Sequence, residues 1–463
     1  MTPSKQKTLG RRAARATKRL AGAGISRRKT PMPSVYIGMT VDILHHGHVN
    51  VIEQARRYGE VTIGLLTDAA VADHKRLPYL TYEQRRKIVE NIRGVVRVVP
   101  QEEWDYAPNL RRYRPDFMVH GDDWLEGPLA PFRARALAAL AEYGGQLIEI
   151  PYTQGVSSQS LIDQLRSLGT TPDVRRRTLK RLLAAKPISR FIEAHNPISA
   201  LIAENARVEV AGKVRQFDGF WSSSLTDSTA RGKPDIEALD ISSRLANVND
   251  IFEVTTKPLI FDGDTGGKPE HFELNVRSME RLGISAVVIE DKQGLKKNSL
   301  LGTEVAQTQE DPAAFCEKIR MGRAARTGED LMVIARVESL ILERGMADAI
   351  ARAQAYAAAG VDGIMIHSRR KTPDEVFEFA RIFRSDFPHL PLVCVPTSYN
   401  ASTEDELAAH GFNVVIYANH LLRAAYPAMR SVALDILRHG RSLEVDAQLL
   451  GISEVLELIP GTR

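Results

Sequence analysis

The chain has 463 residues, 43% apolar and 26% charged, with two cysteines, Cys316 and Cys394. That length passes the roughly 250–300 residues at which single cores stop growing, so two or three domains are implied, and the cysteine count excludes a disulfide framework or Cys-rich zinc site and suits a reducing cytoplasm. The net charge of +5 hides an asymmetry: segment 1–34 carries ten Lys/Arg and no acid, and setting it aside turns +5 into −5, which argues against a nucleic-acid-binding surface, while no apolar run reaches the ~18–20 residues of a membrane span.

Residues 1–33 read as a disordered basic tail, or as sequence ahead of a start at Met32, because they lack a regular apolar face and the apolar stretch of a secretory signal. Folded patterning begins at Ser34. Strands are expected at 35–38, 60–66, 95–99, 117–120 and 146–150, alternating with helices at 47–57, 82–91 and 129–142. This alternation predicts an α/β doubly wound, Rossmann-like parallel sheet over 34–165, with its site at the carboxyl ends of the strands. Residues 166–187 are basic with little core signal and read as a partly helical linker. From 188 to 463 a second alternation gives eight apolar runs ending at His195, Ser223, Asp264, Asp291, Glu338, His367, Thr397 and Asn419. Eight βα units in about 250 residues predict a (β/α)8 TIM-type barrel, with polar residues at the strand ends where such barrels carry their chemistry.

In the first domain, Gly38-Met39-Thr40-Val41-Asp42 runs into His45-His46-Gly47-His48 at the start of the first helix. Two imidazoles three apart in a first helical turn, beside unpaired N–H groups and a glycine that admits a close ligand, suit a triphosphate attacked at its α-phosphorus. In the second domain, Asp262 and Asp264 lie two apart at one strand end and Glu290 at the next. Oxygen ligands without Cys or His favour Mg2+, although aspartates at strand ends also serve as helix caps.

The first segment resembles the HxGH nucleotidyltransferases, in their cytidylyltransferase branch, over roughly residues 35–165. The resemblance extends to Leu66-Thr67-Asp68 with Lys75, to Tyr82-Glu83-Gln84-Arg85-Arg86, to His120-Gly121-Asp122-Asp123-Trp124 and to Thr153-Gln154-Gly155-Val156-Ser157-Ser158. It implies that His45, His48 and Lys75 contact the triphosphate of CTP, usually with Mg2+. It further implies that Gly38, Met39, Thr40, Asp42, Gly47, Asp122 and Asp123 shape the nucleotide site, and that Ser157 and Ser158 head a phosphate-binding helix. Arg85 and Arg86 read equally well as solvated helix residues, and Trp124 as packing. Tyr152 stands where the family often has Arg, which removes a phosphate-binding cation.

Glu290-Asp291-Lys292 followed by Asn298-Ser299 resembles the EDK-x5-NS motif of phosphoenolpyruvate mutases, in the isocitrate lyase superfamily, over roughly residues 190–438. The loop lacks the cysteine acid of the lyases, and it keeps the Asn-Ser ending that phosphonopyruvate hydrolases lack. The resemblance implies conversion of phosphoenolpyruvate to phosphonopyruvate, with Mg2+ on Asp262, Asp264 and Glu290. Trp221, Ser223, Ser224 and Leu225 would bind substrate, together with His367 and Ser368; Ser224 replaces a glycine common in mutases. Arg336, Lys296 and Asn298 would act on the phosphoryl group, and Asp235 would steer or briefly accept it. The domain order resembles bifunctional mutase/cytidylyltransferases of fosfomycin biosynthesis, which implies transfer of CMP to 2-hydroxyethylphosphonate. 2-Aminoethylphosphonate as acceptor, or a nucleotide-sensing domain without turnover, are the alternatives. Small-molecule substrates, no nucleic acid or membrane partner, a cytoplasmic location and a homodimer or homotetramer are expected.

Overall fold

The computed structural model describes residues 32–151, 169–210 and 213–459. The basic tail and the segment holding Tyr152, Ser157 and Ser158 lie outside these residues.

Apolar runs ending in small residues form the strands of the first lobe: β1 (Ser34–Met39), β2 (Glu60–Leu66), β3 (Val95–Gln101), β4 (Phe117–Gly121) and β5 (Gln146–Ile150). They make one parallel sheet in the order β3-β2-β1-β4-β5. The connections leave β1 in opposite directions toward β2 and β4, so the ligand crevice of this sheet type falls at the carboxyl ends of β1 and β4. The HxGH segment follows β1 and Gly121-Asp122-Asp123 ends β4, so sheet topology alone brings the two motifs together. Helices at His46–Ala55, Tyr82–Glu90 and Ala130–Ala141 match expectation, and the short helices Asp68–Ala72 and Ala107–Tyr113 were not foreseen.

The second lobe is a closed parallel barrel of eight strands: Ser189–Glu193, Gly219–Ser222, Leu259–Asp262, Ala286–Glu290, Met332–Val337, Gly363–Ile366, Leu392–Cys394 and Val414–Tyr417. Each strand pairs with its neighbour in sequence and the last pairs with the first. The expected fold class is therefore borne out in both lobes. The barrel interior is a packed layer of Phe191, Ile260, Ala286, Met332, Val393 and Val414, with Leu179 beneath it.

Leu179 comes from the helix Pro172–Ala185, within the segment read as a linker. Thr171 precedes it with extended backbone and proline occupies its first position, a favourable start for a helix. Its basic residues concealed a buried stripe of Arg175, Leu179 and Leu182. Arg175 donates to the carbonyl oxygens of Thr255 (2.7 Å) and Lys257 (2.9 Å), just ahead of the third barrel strand. The helix thus closes the amino-terminal floor of the barrel. At the far end of the chain the helix His420–His439 buries none of its residues, and Leu437 is 80% and Tyr426 68% exposed. Among the described residues no helix is long and apolar enough to cross a membrane.

Two candidate active sites

At the end of β1 the chain takes a strained turn: Val41 is buried at φ 49°, a left-handed conformation that β-branched residues avoid. His45 then caps the helix with extended backbone, its Nδ1 accepting from the N–H of Gly47 (3.1 Å), while Nδ1 of His48 accepts from the N–H of His45 (3.3 Å). The rings lie 4.0 Å apart, so the pair does share a face. The arrangement corrects one expectation: the N–H of Gly47 is taken up by His45 rather than left for a ligand. With Nδ1 accepting, each neutral ring carries its proton on Nε2. Burial and the neighbouring His45 push His48 down to about 4, and burial followed by His46 lowers His45, so both are neutral donors at physiological pH.

Other residues of this site find different tasks. A side chain at Gly38 would collide with the Tyr106 ring at 2.1 Å, and Met39 sits in the hydrophobic core, so packing explains both. Asp42 accepts from the backbone N–H of Tyr79 (2.6 Å) and Leu80 (3.4 Å), which makes it an anchor for that loop. Arg85 is fully buried, not solvated, and donates to Thr40 O (2.5 Å) and Asp68 (2.7 Å), whereas Arg86 is exposed. Trp124 is packed under His120, ring centroids 3.7 Å apart, and Asp123 lies 3.6 Å from His120. Thr40, Asp42 and Lys75 line a cleft that reaches the barrel floor at Arg181 and Lys186. Lys75 stands over the Trp104 ring at 5.2 Å.

The barrel site opens at the carboxyl ends of the strands. Trp221, Ser223, Ser224, Leu225, Asp235, Asp262, Lys296, Asn298, Arg336 and His367 all line one pocket. Residues far apart in sequence thus converge as expected. Lys292–Gln293 pairs antiparallel with Thr308–Gln309, and the loop between them folds over the pocket as a lid. Asn298 Nδ2 and Lys296 Nζ each donate to Asp235 at 2.9 Å, so both carboxylate oxygens of Asp235 latch the lid. Lys296 also bonds Ser224 Oγ and Asp264 Oδ1. Burial opposes its charge, but Asp264, Asp262, Glu290 and Asp235 outweigh burial and raise its pKa. The acidic rim does converge, then, on a side-chain ammonium.

This revises the metal set. Among the described residues no three His, Cys, Asp or Glu side chains form a ready metal cage. Asp264, held at φ 54°, is committed to Lys296 and to Arg244 (3.2 Å). Asp262 accepts from the N–H (3.2 Å) and hydroxyl (2.9 Å) of Ser224, so both donors of this expected substrate-binding residue are engaged within the protein. Burial would raise Asp262, but Lys296, Arg244 and Arg336 outweigh it and hold it at about 2. Glu290 is pushed up to about 7 by burial, with Glu338 adding to the rise; neither of its oxygens has a hydrogen bond among the described residues, although Lys292 and Arg336 each stand 3.2 Å from one of them. Buried carboxylate oxygens are hard ligands that fit a divalent cation, and Asp262 and Glu290, which are not bonded to Lys296, are the members that could hold one.

Arg336 donates to Glu338 (2.6 Å) and lies 3.2 Å from Glu290. Glu338 and Glu290 outweigh the cost of burial and hold the guanidinium charged. His367 is kept neutral by burial and by Arg336. Ser368 is the one substrate-binding candidate that turns away: its hydroxyl bonds Glu375 and accepts from the N–H of Arg370 (3.0 Å), a local cap. Sequence reading missed Arg244, which is 1% exposed and donates to Asp227 (3.0 Å), Asp264 and the carbonyl of Asp262 (2.6 Å). It sits in the first turn of the helix Ile241–Glu253, and only its position opposite two strand ends reveals it.

Residues 179–437 match the family model for phosphoenolpyruvate phosphomutase. The chain belongs to this family. Residues 36–164 match the cytidylyltransferase-like model, so this phosphoenolpyruvate phosphomutase-family enzyme carries a cytidylyltransferase-like domain ahead of its barrel. A phosphonopyruvate hydrolase of Variovorax sp. is 40% identical over 267 residues, 57% of this chain and 88% of that protein. A phosphoenolpyruvate phosphomutase of Tetrahymena pyriformis is 33% identical over 284 residues, 60% of this chain and 89% of that one. A crystal structure of phosphonopyruvate hydrolase with oxalate and Mg++ superposes with a TM-score of 0.55 at 37% identity, covering 61% of this chain and 94% of that one.

Proposed function

We propose that the barrel interconverts phosphoenolpyruvate and phosphonopyruvate, and that the first lobe transfers CMP from CTP to a small phosphonate, 2-hydroxyethylphosphonate first among the candidates. The observation that carries the mutase reading is the latch of Lys296 and Asn298 onto Asp235, which seals the pocket with polar lid side chains. When the P–O bond loosens, the phosphoryl group is metaphosphate-like, and water in the pocket would capture it. Arg336 donates to its oxygens, neutral His367 donates toward the enolate, and Ser223 with the N–H of Leu225 holds the carboxylate. Asp235 keeps the lid closed while phosphorus moves from oxygen to carbon; with both oxygens engaged, it acts as a latch more readily than as a phosphoryl acceptor. A Mg2+ ion on Asp262 and Glu290 would supply charge neutralisation and orientation.

In the first lobe, the Nε2 protons of His45 and His48 donate to the α-phosphoryl oxygens as the phosphonate attacks, and Lys75 holds the departing pyrophosphate. A location in the cytoplasm fits such substrates. The exposed apolar face of the helix His420–His439 fits assembly with a second copy.

The 40% identity to a phosphonopyruvate hydrolase supports a second reading of the barrel, with water as acceptor. Supplying phosphonopyruvate and following ³¹P NMR separates the two: a mutase yields phosphoenolpyruvate, a hydrolase inorganic phosphate. Pyrophosphate release from CTP with a panel of phosphonates, including 2-aminoethylphosphonate, tests the first lobe; no release with any of them would leave it a nucleotide sensor.

A further inference from the structure

The lobes meet through the loop that carries Lys75. Next to Lys75, Arg76 donates to Glu204 (2.8 Å) and Thr256 (2.9 Å), both in the barrel lobe. A few residues further along the same loop, Arg181 of the barrel-floor helix donates to the carbonyls of Tyr79 (3.2 Å) and Leu80 (3.5 Å), and also to Asp68 (3.3 Å). The N–H groups of Tyr79 and Leu80 are the ones held by Asp42. This strap is therefore clamped between a carboxylate of the first lobe and a guanidinium of the second. Asp68 joins Arg181 to Arg85, which donates to the carbonyl of Thr40 in the turn before His45. Thr40, Asp42, Lys75 and Arg181 line one cleft, and the Nε of Arg181 is buried without a hydrogen bond among the described residues.

We propose that Arg181 is a positioning residue for cytidylyl transfer: from the floor of the barrel it fixes the strap that sets Lys75 and Asp42, so the nucleotide site is complete only when the barrel is docked beneath it. The inference rests on reading the first lobe as a CTP-dependent transferase. Its physical basis is that surface loops are mobile unless tied down, and a catalytic group displaced by about 1 Å loses on the order of 100-fold in rate. A planar guanidinium holds its donors in a fixed fork, so one side chain bridges two carbonyls and a carboxylate with less freedom left to lose than a flexible ammonium has.

The test uses the full chain with Arg181→Ala, Arg181→Lys and Glu204→Gln, the last releasing Arg76 without touching Arg181. Kinetics of pyrophosphate release, calorimetric binding of CTP, and mutase turnover by ³¹P NMR are measured on the same preparations. Arg181→Ala is expected to lower kcat/KM for CTP by about tenfold or more, roughly 1.4 kcal/mol per decade, with mutase turnover unchanged. Arg181→Lys should recover part of the loss, and Glu204→Gln should fall in the same direction by less. Unaltered CTP kinetics in Arg181→Ala, or an equal loss of both activities, overturns the inference. If the wild-type chain binds no CTP, the transferase reading itself fails and the inference with it; if the wild type binds and turns over CTP and Arg181→Ala does so equally, the inference alone fails.

Discussion

Asn298 contributes a single hydrogen bond to Asp235, yet that bond closes the lid over a group that water would capture. Asn298→Ala is expected to raise the ratio of inorganic phosphate and pyruvate to phosphoenolpyruvate formed from phosphonopyruvate; an unchanged ratio by ³¹P NMR would remove the latch role. Arg244 compensates Asp227 and Asp264 in a fully buried site. Arg244→Met leaves those acids without a counter-charge, and a loss of about 3–5 kcal/mol is expected, read as a lowered urea midpoint of the barrel. The histidine pair gives a pH signature. His48 is held at about 4 by burial and by His45, so the free enzyme's kcat/KM for CTP should show no inflection from His48 between about pH 5 and about pH 7, as checked by comparing the profile with that of His48→Gln. Its lowered pKa also means that the stability it contributes is present above the unfolded value near 6.5 and is lost as pH falls toward about 4. An inflection near 6.5 that disappears in His48→Gln would place the His48 ring in solvent instead.

At the scale of elements, the helix Pro172–Ala185 shows how charge can mislead. Its arginines and lysines mask a three-residue buried stripe, and Leu179 is completely enclosed beneath the barrel interior. Leu179→Ala should therefore cost roughly 2–5 kcal/mol, seen as a drop in the melting temperature of the barrel, whereas a linker residue would change little. The lid is the opposite case. Its residues were legible as a motif, but their partners were not: Lys296 meets Asp235 across 61 residues of sequence and Ser224 across 72. Ser368 departs from what the resemblance implies because a motif does not fix side-chain direction, and its hydroxyl caps its own loop.

Across the whole molecule, the two sites lie at opposite ends of the barrel: the first lobe docks on the floor helix, and the lid covers the carboxyl ends of the strands. A filled interior separates them, so no path through the barrel axis joins the two sites. The uncovered helix His420–His439 predicts association: Leu437→Glu together with Tyr426→Glu should shift the chain to a smaller species in light scattering, and an unshifted mass would show that this face is free in solution. The sequence by itself determined the alternating βα architecture of both lobes and the strand ends where chemistry gathers, because periodicity and strand-terminal polar residues are local properties. It also carried both family motifs. Only the tertiary structure decided that Lys296 occupies the acidic rim, that Gly38 and Met39 serve packing, that Arg244 underpins the carboxylates and that the barrel floor clamps the Lys75 loop. Those outcomes depend on which side chains compete for the same space and the same hydrogen bonds, and that competition exists only once distant segments are folded against one another.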